Sequence, residues 1–157
     1  MENSIKELLD LLQELYVRTH NEQSWVIDAT PGHGFTAAIE SISAKQASTP
    51  TVKGGSTIAA HTEHLRWSLY FALGFFKGNR PSSDWGASWK VSEVNEAEWL
   101  ALQQDLLEAY LLVREAIAET KDWSNQDLWK GTLALLPHAA YHLGAVKQMM
   151  LLVKENS

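Results

Sequence analysis

The sequence predicts an all-α protein with the architecture of a four-helix bundle, and three observations lead to this prediction. Four long segments place apolar residues three and four positions apart, which is the spacing of a helix with one buried face. Stretches rich in glycine, proline and serine separate these segments. No segment requires a β-strand. The 157 residues are about the length of one domain, so we expect residues 1–157 to form a single helical domain.

The first helix is predicted over about residues 4–20. Its apolar residues share one face and are Ile5, Leu8, Leu9, Leu12, Leu15 and Tyr16. Its charged residues, Lys6, Glu7, Asp10 and Glu14, fall on the other side, which we expect to face solvent. A further helical stretch is expected over residues 35–48, followed by a loop at Pro50 and Gly54.

The second long helix is predicted from Ser56 or Thr57, either of which can cap it, to Lys77, where Gly78 and Pro81 follow. Its apolar residues cover a wide arc, so we expect it to be well buried. Residues 78–94 have no clear period and predict a long loop folded over one end of the bundle. Connections of this length without regular structure are uncommon and often functional.

The third helix is predicted to begin at Asn95, because Asn95 and Glu98 have the spacing of a capping box, and to end near Thr120. Residues 121–130 are expected to be a connection. The fourth helix is predicted over about residues 132–154, with a kink or a fresh helix start at Pro137, because proline removes a backbone hydrogen bond and presses on the preceding turn.

Composition argues against several classes of protein. The absence of cysteine excludes thiolate catalysis and thiolate metal sites. A formal charge of −6 without a dense basic cluster argues against nucleic-acid binding. The N-terminus lacks the pattern of a signal peptide, and no apolar stretch approaches the ~20 residues of a membrane span. We therefore expect a cytoplasmic protein without nucleic-acid or membrane partners.

Four of the six histidines form two pairs at helical spacing. His138 and His142 are four residues apart, so they lie on one face of the fourth helix, among small apolar neighbours. Buried imidazoles without partners are costly, and a metal ion held by one nitrogen of each ring removes that cost. His61 and His64 form the second pair on the second helix. Two such pairs on two helices predict a shared metal site.

The sequence argues against several known kinds of metal site. The His-Glu-x-x-His motif of zinc proteases is absent, and no histidine has glutamate three positions before it, as di-iron bundles require. A closed structural zinc site usually uses cysteine. A site of about three histidines with its other positions open remains, which is the catalytic kind.

The chain resembles the DinB-like superfamily of metal-binding bundles, which includes DNA-damage-inducible and YfiT-like proteins. The resemblance rests on Thr57-Ile58, on His64-Leu65 and on the segment from Pro137 through His138 and His142 to Gly144. It implies one histidine ligand on the second helix and two on the fourth, binding zinc, nickel or a similar ion. At the matching positions of this sequence, the ligands that the resemblance implies are His64, His138 and His142.

The spacing alone does not choose between His61 and His64. His61 lies about one turn away and remains an alternative ligand, a fourth ligand or a hydrogen-bond partner of a ligand. Where many relatives have glutamine shortly after the final glycine, this chain has Ala145, which leaves the ligand set intact. His20 and His33 match no pattern and are expected in surface or loop positions.

The resemblance implies an enzyme that uses a divalent metal and a low-molecular-weight thiol, such as bacillithiol or mycothiol, in a transferase or hydrolase reaction on a small molecule. It also implies a homodimer. The alternative is a stress-response or binding protein whose metal is structural or absent. No residue stands out as a general base. Four residues flank the expected ligands and either line a pocket or serve in packing: Glu63, Arg66, Trp67 and Tyr141.

Overall fold

The structure is a computed structural model that describes residues 2–17, 23–28, 32–79, 81–82 and 84–155. The α-helices of the described residues are α1 (Glu2–Tyr16), α2 (Phe35–Glu40), α3 (Ala44–Ala47), α4 (Ile58–Phe76), α5 (Glu96–Glu119) and α6 (Gln126–Glu155). A short 3-10 helix spans Ala87–Trp89, and these residues contain no β-strand. The prediction of an all-α fold is confirmed.

Four long helices form the bundle. Helix α4 packs against α5 and α6, and α1 packs against the same two helices. Helices α1 and α4 therefore occupy diagonal positions, and the connection between them must cross the bundle. The short helices α2 and α3 lie in this connection and both pack against α5, while the 3-10 helix packs against α4. The loop between α4 and α5 thus folds back onto the helix that precedes it.

Helix α1 ends earlier than expected and buries one of its charged residues. It ends at Tyr16, and residues 18–22 beyond it lie outside the described residues, as does His20. The expectation that Glu14 faces solvent is wrong, because the Glu14 side chain is only 3% exposed. The segment at residues 24–27 lies over this position, and its hydroxyl and amide groups donate hydrogen bonds to the carboxylate of Glu14.

The predicted caps of α4 and α5 are confirmed. The side chain of Thr57 accepts a hydrogen bond from the amide of Ala60 at the start of α4. Asn95 and Glu98 form a reciprocal capping box at the start of α5. Helix α4 ends before Gly78, whose φ of 74° is a left-handed conformation that glycine adopts without strain.

Of the two alternatives expected at Pro137, a kink or a fresh helix start, the fresh start is wrong. Helix α6 begins at Gln126, inside the expected connection, and runs through Pro137 without interruption. A proline in a helix interior costs about 3 kcal/mol. Buried side chains on both sides of it, including Leu135 and Ala139, offset that cost by packing in the core.

The expected helical stretch at residues 35–48 is divided in two. Ser43 begins α3 with its own capping box to Gln46, so it separates α3 from α2. A Cβ atom at Gly34, just before α2, would collide with the carbonyl oxygen of Val17, just after α1, so only glycine allows this close approach. Among the described residues, none of the helices has both the length and the apolar character to cross a bilayer.

Candidate metal centre

Helix α4 presents its two histidines close to a fixed N-terminal end. The hydroxyl of Thr57 donates a hydrogen bond to the carbonyl of Ser92, 2.9 Å away, and so ties the cap of α4 to the loop that leads into α5. His61 and His64 follow within the first two turns of α4, and both side chains are buried. The backbone that carries them is therefore held by its cap and by the loop.

Three of the predicted residues converge between α4 and α6. Nε2 of His64 lies 3.0 Å from Nε2 of His138, and Nε2 of His142 lies 3.1 Å from the same atom. One ring nitrogen of each of these histidines can be chosen so that all lie within 4.8 Å of one another. Within the part of the chain that the structure describes, this is the one group of three or more His, Asp or Glu side chains with such spacing. We call His64, His138 and His142 the histidine cluster.

His61 lies behind the cluster rather than in it. Its Nδ1 is 2.8 Å from Nδ1 of His142, and its Nε2 is 2.8 Å from the hydroxyl of Ser56. Both ring nitrogens of His61 are thus engaged, one with a cluster histidine and the other with a serine. This arrangement favours the reading of His61 as a hydrogen-bond partner of His142.

Ser88 determines which nitrogen of His64 carries the proton. The hydroxyl of Ser88 lies 2.7 Å from the carbonyl oxygen of Trp85 and 2.7 Å from Nδ1 of His64. A hydroxyl has one hydrogen, and the carbonyl can only accept, so Ser88 donates to Trp85 and accepts from Nδ1–H of His64. Nε2 of His64 then has a free lone pair that points toward His138.

His138 and His142 also have a partner on Nδ1, the outer ring nitrogen, which faces away from the other cluster members. The hydroxyl of Ser68 donates to the carbonyl of Leu65, 2.8 Å away, so it can only accept from Nδ1 of His138, at a longer 3.5 Å. Nδ1 of His142 meets His61. When all three outer nitrogens donate, the three Nε2 atoms face one another as acceptors, which is favourable only with a cation between them.

Burial and mutual proximity keep the four rings neutral. Burial first, and then the rings of His138 and His61, lower the pKa of His64 to about 4. Burial first, and then the same two rings and that of His64, lower the pKa of His142 to about 3. Burial also lowers the pKa values of His61 and His138. Neutral imidazole is the form that binds metal, so the cluster is ready to coordinate near neutral pH.

The donor set of the cluster suits a divalent transition-metal ion. Two nitrogens that are each about 2.0–2.1 Å from a four- or six-coordinate ion lie roughly 2.9–3.4 Å apart. The separations of 3.0 and 3.1 Å between Nε2 of His138 and the Nε2 atoms of His64 and His142 fall within that range. The described residues place no carboxylate in the group, so an ion held there would keep positions for water or substrate.

Two tryptophans of the loop between α4 and α5 cover the cluster. The ring of Trp89 stacks on His64, with centroids 4.3 Å apart and planes 23° apart. It also meets His61 edge-on and His142 at a tilt of 46°. Trp85 lies 6.0 Å from the ring of His64. The predicted long loop is present, but it runs back along α4, from Pro81 beside Gly74 to Ser92 at Thr57, rather than over one end of the bundle. Its tryptophans supply an apolar wall to the cluster.

The residues that flank the cluster in sequence have different positions. Arg66 pairs with Glu63 at 2.7 Å and with Asp105 at 2.9 Å, and these carboxylates raise its pKa, so Glu63 and Arg66 join α4 to α5. Tyr141 is 71% exposed. Trp67 stacks on Phe71 and contacts Trp85. His33 is a partly buried loop residue near Asp28.

Sequence reasoning missed the serines that engage the imidazoles. Ser68 is one turn beyond His64 on α4, and that spacing could have indicated it. Ser88 lies in an irregular loop, where neither spacing nor periodicity carries a signal. Only the folding of the loop back onto α4 brings its hydroxyl to His64.

We expect the substitution Ser88→Ala to lower metal affinity about 10- to 100-fold, the usual effect of removing a group that orients a ligand histidine. Ser68→Ala should have a smaller effect, since its oxygen is 3.5 Å from His138. Competition titration with a chromogenic chelator measures both affinities. An unchanged affinity in the Ser88 variant would show that the hydroxyl does not orient His64.

The fold and the cluster together define a class of protein: a helical bundle with a group of three histidines, two buried and one partly buried, shared by two of its long helices. The model of the DinB superfamily matches residues 27–146, which is most of the chain. The chain therefore belongs to the DinB superfamily. No curated protein and no solved structure matches it significantly.

Proposed function

We propose that this chain binds one divalent metal ion, zinc or nickel, through His64, His138 and His142, and that it uses the ion in a reaction on a small molecule. The observation that carries the proposal is the convergence of three Nε2 atoms, with His138 3.0 and 3.1 Å from its two neighbours. Membership of the DinB superfamily supports the same reading.

The side chains around the cluster would prepare the site for that ion. Ser88 accepts from Nδ1–H of His64 and so leaves its Nε2 free. With the ion on Nε2 of His142, Nδ1–H of His142 would donate to His61. Trp89 limits the access of water to one side. A divalent ion with three neutral ligands supplies an undiminished positive charge, which acts as a Lewis acid.

The reaction we propose is transfer or hydrolysis that depends on a low-molecular-weight thiol. The chain has no cysteine, so a thiol must come from a cosubstrate. A neutral histidine cluster without carboxylates suits the binding of an anionic sulfur, because it does not repel negative charge. We assign no general base, since the imidazoles of the cluster are engaged with one another, with two serines and with His61.

The test is the metal content of protein purified without a histidine tag, measured by inductively coupled plasma mass spectrometry. We expect about one ion per chain. A metal present at 100 times its Kd stabilises the fold by about 2.7 kcal/mol. For a domain of this size, EDTA should therefore lower Tm by roughly 5–11 °C, and the metal should restore it.

Incubation of the metal-loaded protein with a thiol and electrophilic acceptors then distinguishes an enzyme from a protein whose metal is structural. Conjugate formation that EDTA abolishes supports the enzyme. Bound metal without turnover of any thiol or ester would favour a structural or binding role. Absence of metal, together with a Tm that EDTA does not change, would overturn the proposal.

A further inference from the structure

We propose that a cavity beside the histidine cluster binds the body of an elongated, uncharged, apolar small molecule whose polar end faces His138. This inference deepens the proposed function, on which it rests, by naming the chemical class of the substrate. The cavity has a volume of about 580 Å³ and lies between α4 and α6, with His138 in its wall. That volume is within the usual range of ligand sites, about 300–1,000 Å³.

The cavity extends along both helices away from the cluster. Its wall on α4 runs from Ser68, which contacts His138, to Phe76, and its wall on α6 runs from His138 back to Asp127. At 1.5 Å per residue these stretches are roughly 12 and 16 Å long. The cavity is therefore a groove about two to three helical turns in length, with the histidine cluster at one end and Asp127 at the other.

The wall of the groove is almost entirely apolar. Helix α4 contributes three phenylalanines, Phe71, Phe75 and Phe76, and the loop after it contributes Trp85. The side chain of Phe75 is 42% exposed, although the sequence predicted that α4 is well buried. The side chain of Trp85, in the loop after α4, is 44% exposed. Large aromatic side chains that line an open groove next to a polar cluster indicate a binding site for an apolar molecule.

Charge along the groove selects against anions. Between its two ends the lining contains no charged residue, and no lysine or arginine of the described chain belongs to it. The one charged side chain at the far end is acidic, Asp127. An anionic or highly polar molecule would lose hydration there without gaining an ionic partner. The body of a charged thiol therefore does not suit this groove, and we assign it to the neutral substrate.

Two glycines of α6 provide a matched test. Gly131 lines the groove and Gly144 does not, and a Cβ at either position would meet no atom within 4 Å. Gly131→Leu should fill the groove without strain, while Gly144→Leu adds the same side chain elsewhere on α6. Both changes favour the helical conformation, so neither should unfold the protein.

The probe is N-phenylnaphthylamine, a neutral fluorophore, and its charged counterpart is anilinonaphthalenesulfonate, which carries a sulfonate on the same rings. We expect the wild-type protein to bind the neutral probe with micromolar Kd and to bind the sulfonate at least ten times more weakly. Gly131→Leu should weaken binding of the neutral probe at least tenfold, and Gly144→Leu should leave it unchanged. Quenching of tryptophan fluorescence reports occupancy near Trp85.

Metal content, measured on the same samples, separates this inference from the proposed function. Metal bound by a protein that does not bind the neutral probe would overturn the groove assignment alone. Probe binding by a protein that holds no metal would overturn the proposed function alone.

The variants and the charged probe test the groove itself. Equal binding of the neutral probe by the two leucine variants, or equal affinity of the wild type for the neutral probe and the sulfonate, would overturn the groove assignment. A change from dimer to monomer in Gly131→Leu, seen by light scattering, would identify a second copy of the chain as the occupant and overturn it too.

Discussion

Replacing His138 by alanine is expected to lower the affinity for a divalent ion by at least about 10²-fold. His138 is the ring that both other members of the cluster approach, at 3.0 and 3.1 Å. Structural zinc sites with four protein ligands bind with about 10–16 kcal/mol, so one ligand accounts for roughly 2.5–4 kcal/mol. A loss of that size is about two orders of magnitude in Kd. Isothermal titration with zinc and with nickel, after removal of endogenous metal, measures it.

The controls for this prediction use the other histidines. His33→Ala should bind metal as the wild type does, because His33 lies in a loop near Asp28 and outside the cluster. His61→Ala should lower the affinity for the metal about 10- to 100-fold, because it removes the hydrogen-bond partner that orients His142. Thermal unfolding in EDTA should show each variant folded. A folded His138→Ala protein that keeps wild-type affinity would contradict the assignment of ligands.

Replacing Glu14 by alanine is expected to lower the free energy of unfolding by about 2–4 kcal/mol. The carboxylate accepts hydrogen bonds from the hydroxyl of Ser24 at 2.7 Å and from three successive backbone amides at residues 25–27, the shortest 2.7 Å. Hydrogen bonds to a charged group contribute about 1.5–3 kcal/mol each, and bonds that share one acceptor group do not add fully. Urea unfolding followed by circular dichroism measures the change.

The contribution of Glu14 should also depend on pH. Burial opposes its ionisation, but the hydrogen bonds from Ile27, Ser24, Val26 and Trp25 outweigh burial and lower its pKa below the ordinary 4.5. A carboxylate with a lowered pKa in the folded state stabilises the fold above its unfolded pKa, and the stabilisation is lost as pH falls through the folded value. The difference in stability between wild type and Glu14→Gln should therefore be largest above pH 4.5 and shrink below it.

Glu7 offers the matched control on the same helix. It is largely exposed, and its nearest cation, Lys6, is 4.0 Å away, so Glu7→Gln should change stability by no more than about 0.5 kcal/mol. If Glu14→Ala proves as harmless as this control, the carboxylate does not hold the segment at residues 24–27. A difference between wild type and Glu14→Gln that grows at acid pH would contradict the lowered pKa.

The helices and the spacing of the histidines were predictable because both depend on local sequence. Apolar residues every three or four positions mark a helix wherever it packs, and the caps at Thr57 and Asn95 use groups within three residues. The pair His138 and His142 shares a face for the same reason. One of the two local alternatives at Pro137, a fresh helix start, was wrong, because packing on both sides carries α6 through the proline.

The tertiary structure decided contacts that the spacing of residues along a helix leaves open. His64 rather than His61 joins His138 because of how α4 is rotated against α6, and helical spacing does not determine rotation. Ser88 reaches His64 from 24 residues away, through a loop with no periodic pattern. Glu14 looked like a solvent-facing charge, since its burial depends on a segment that returns from beyond α1. Sequence alone determined the four long helices and the kinds of side chain that can form a site, because helix formation depends on residues that are near neighbours in the chain. The contacts that convert them into a site depend on packing between residues far apart in the chain.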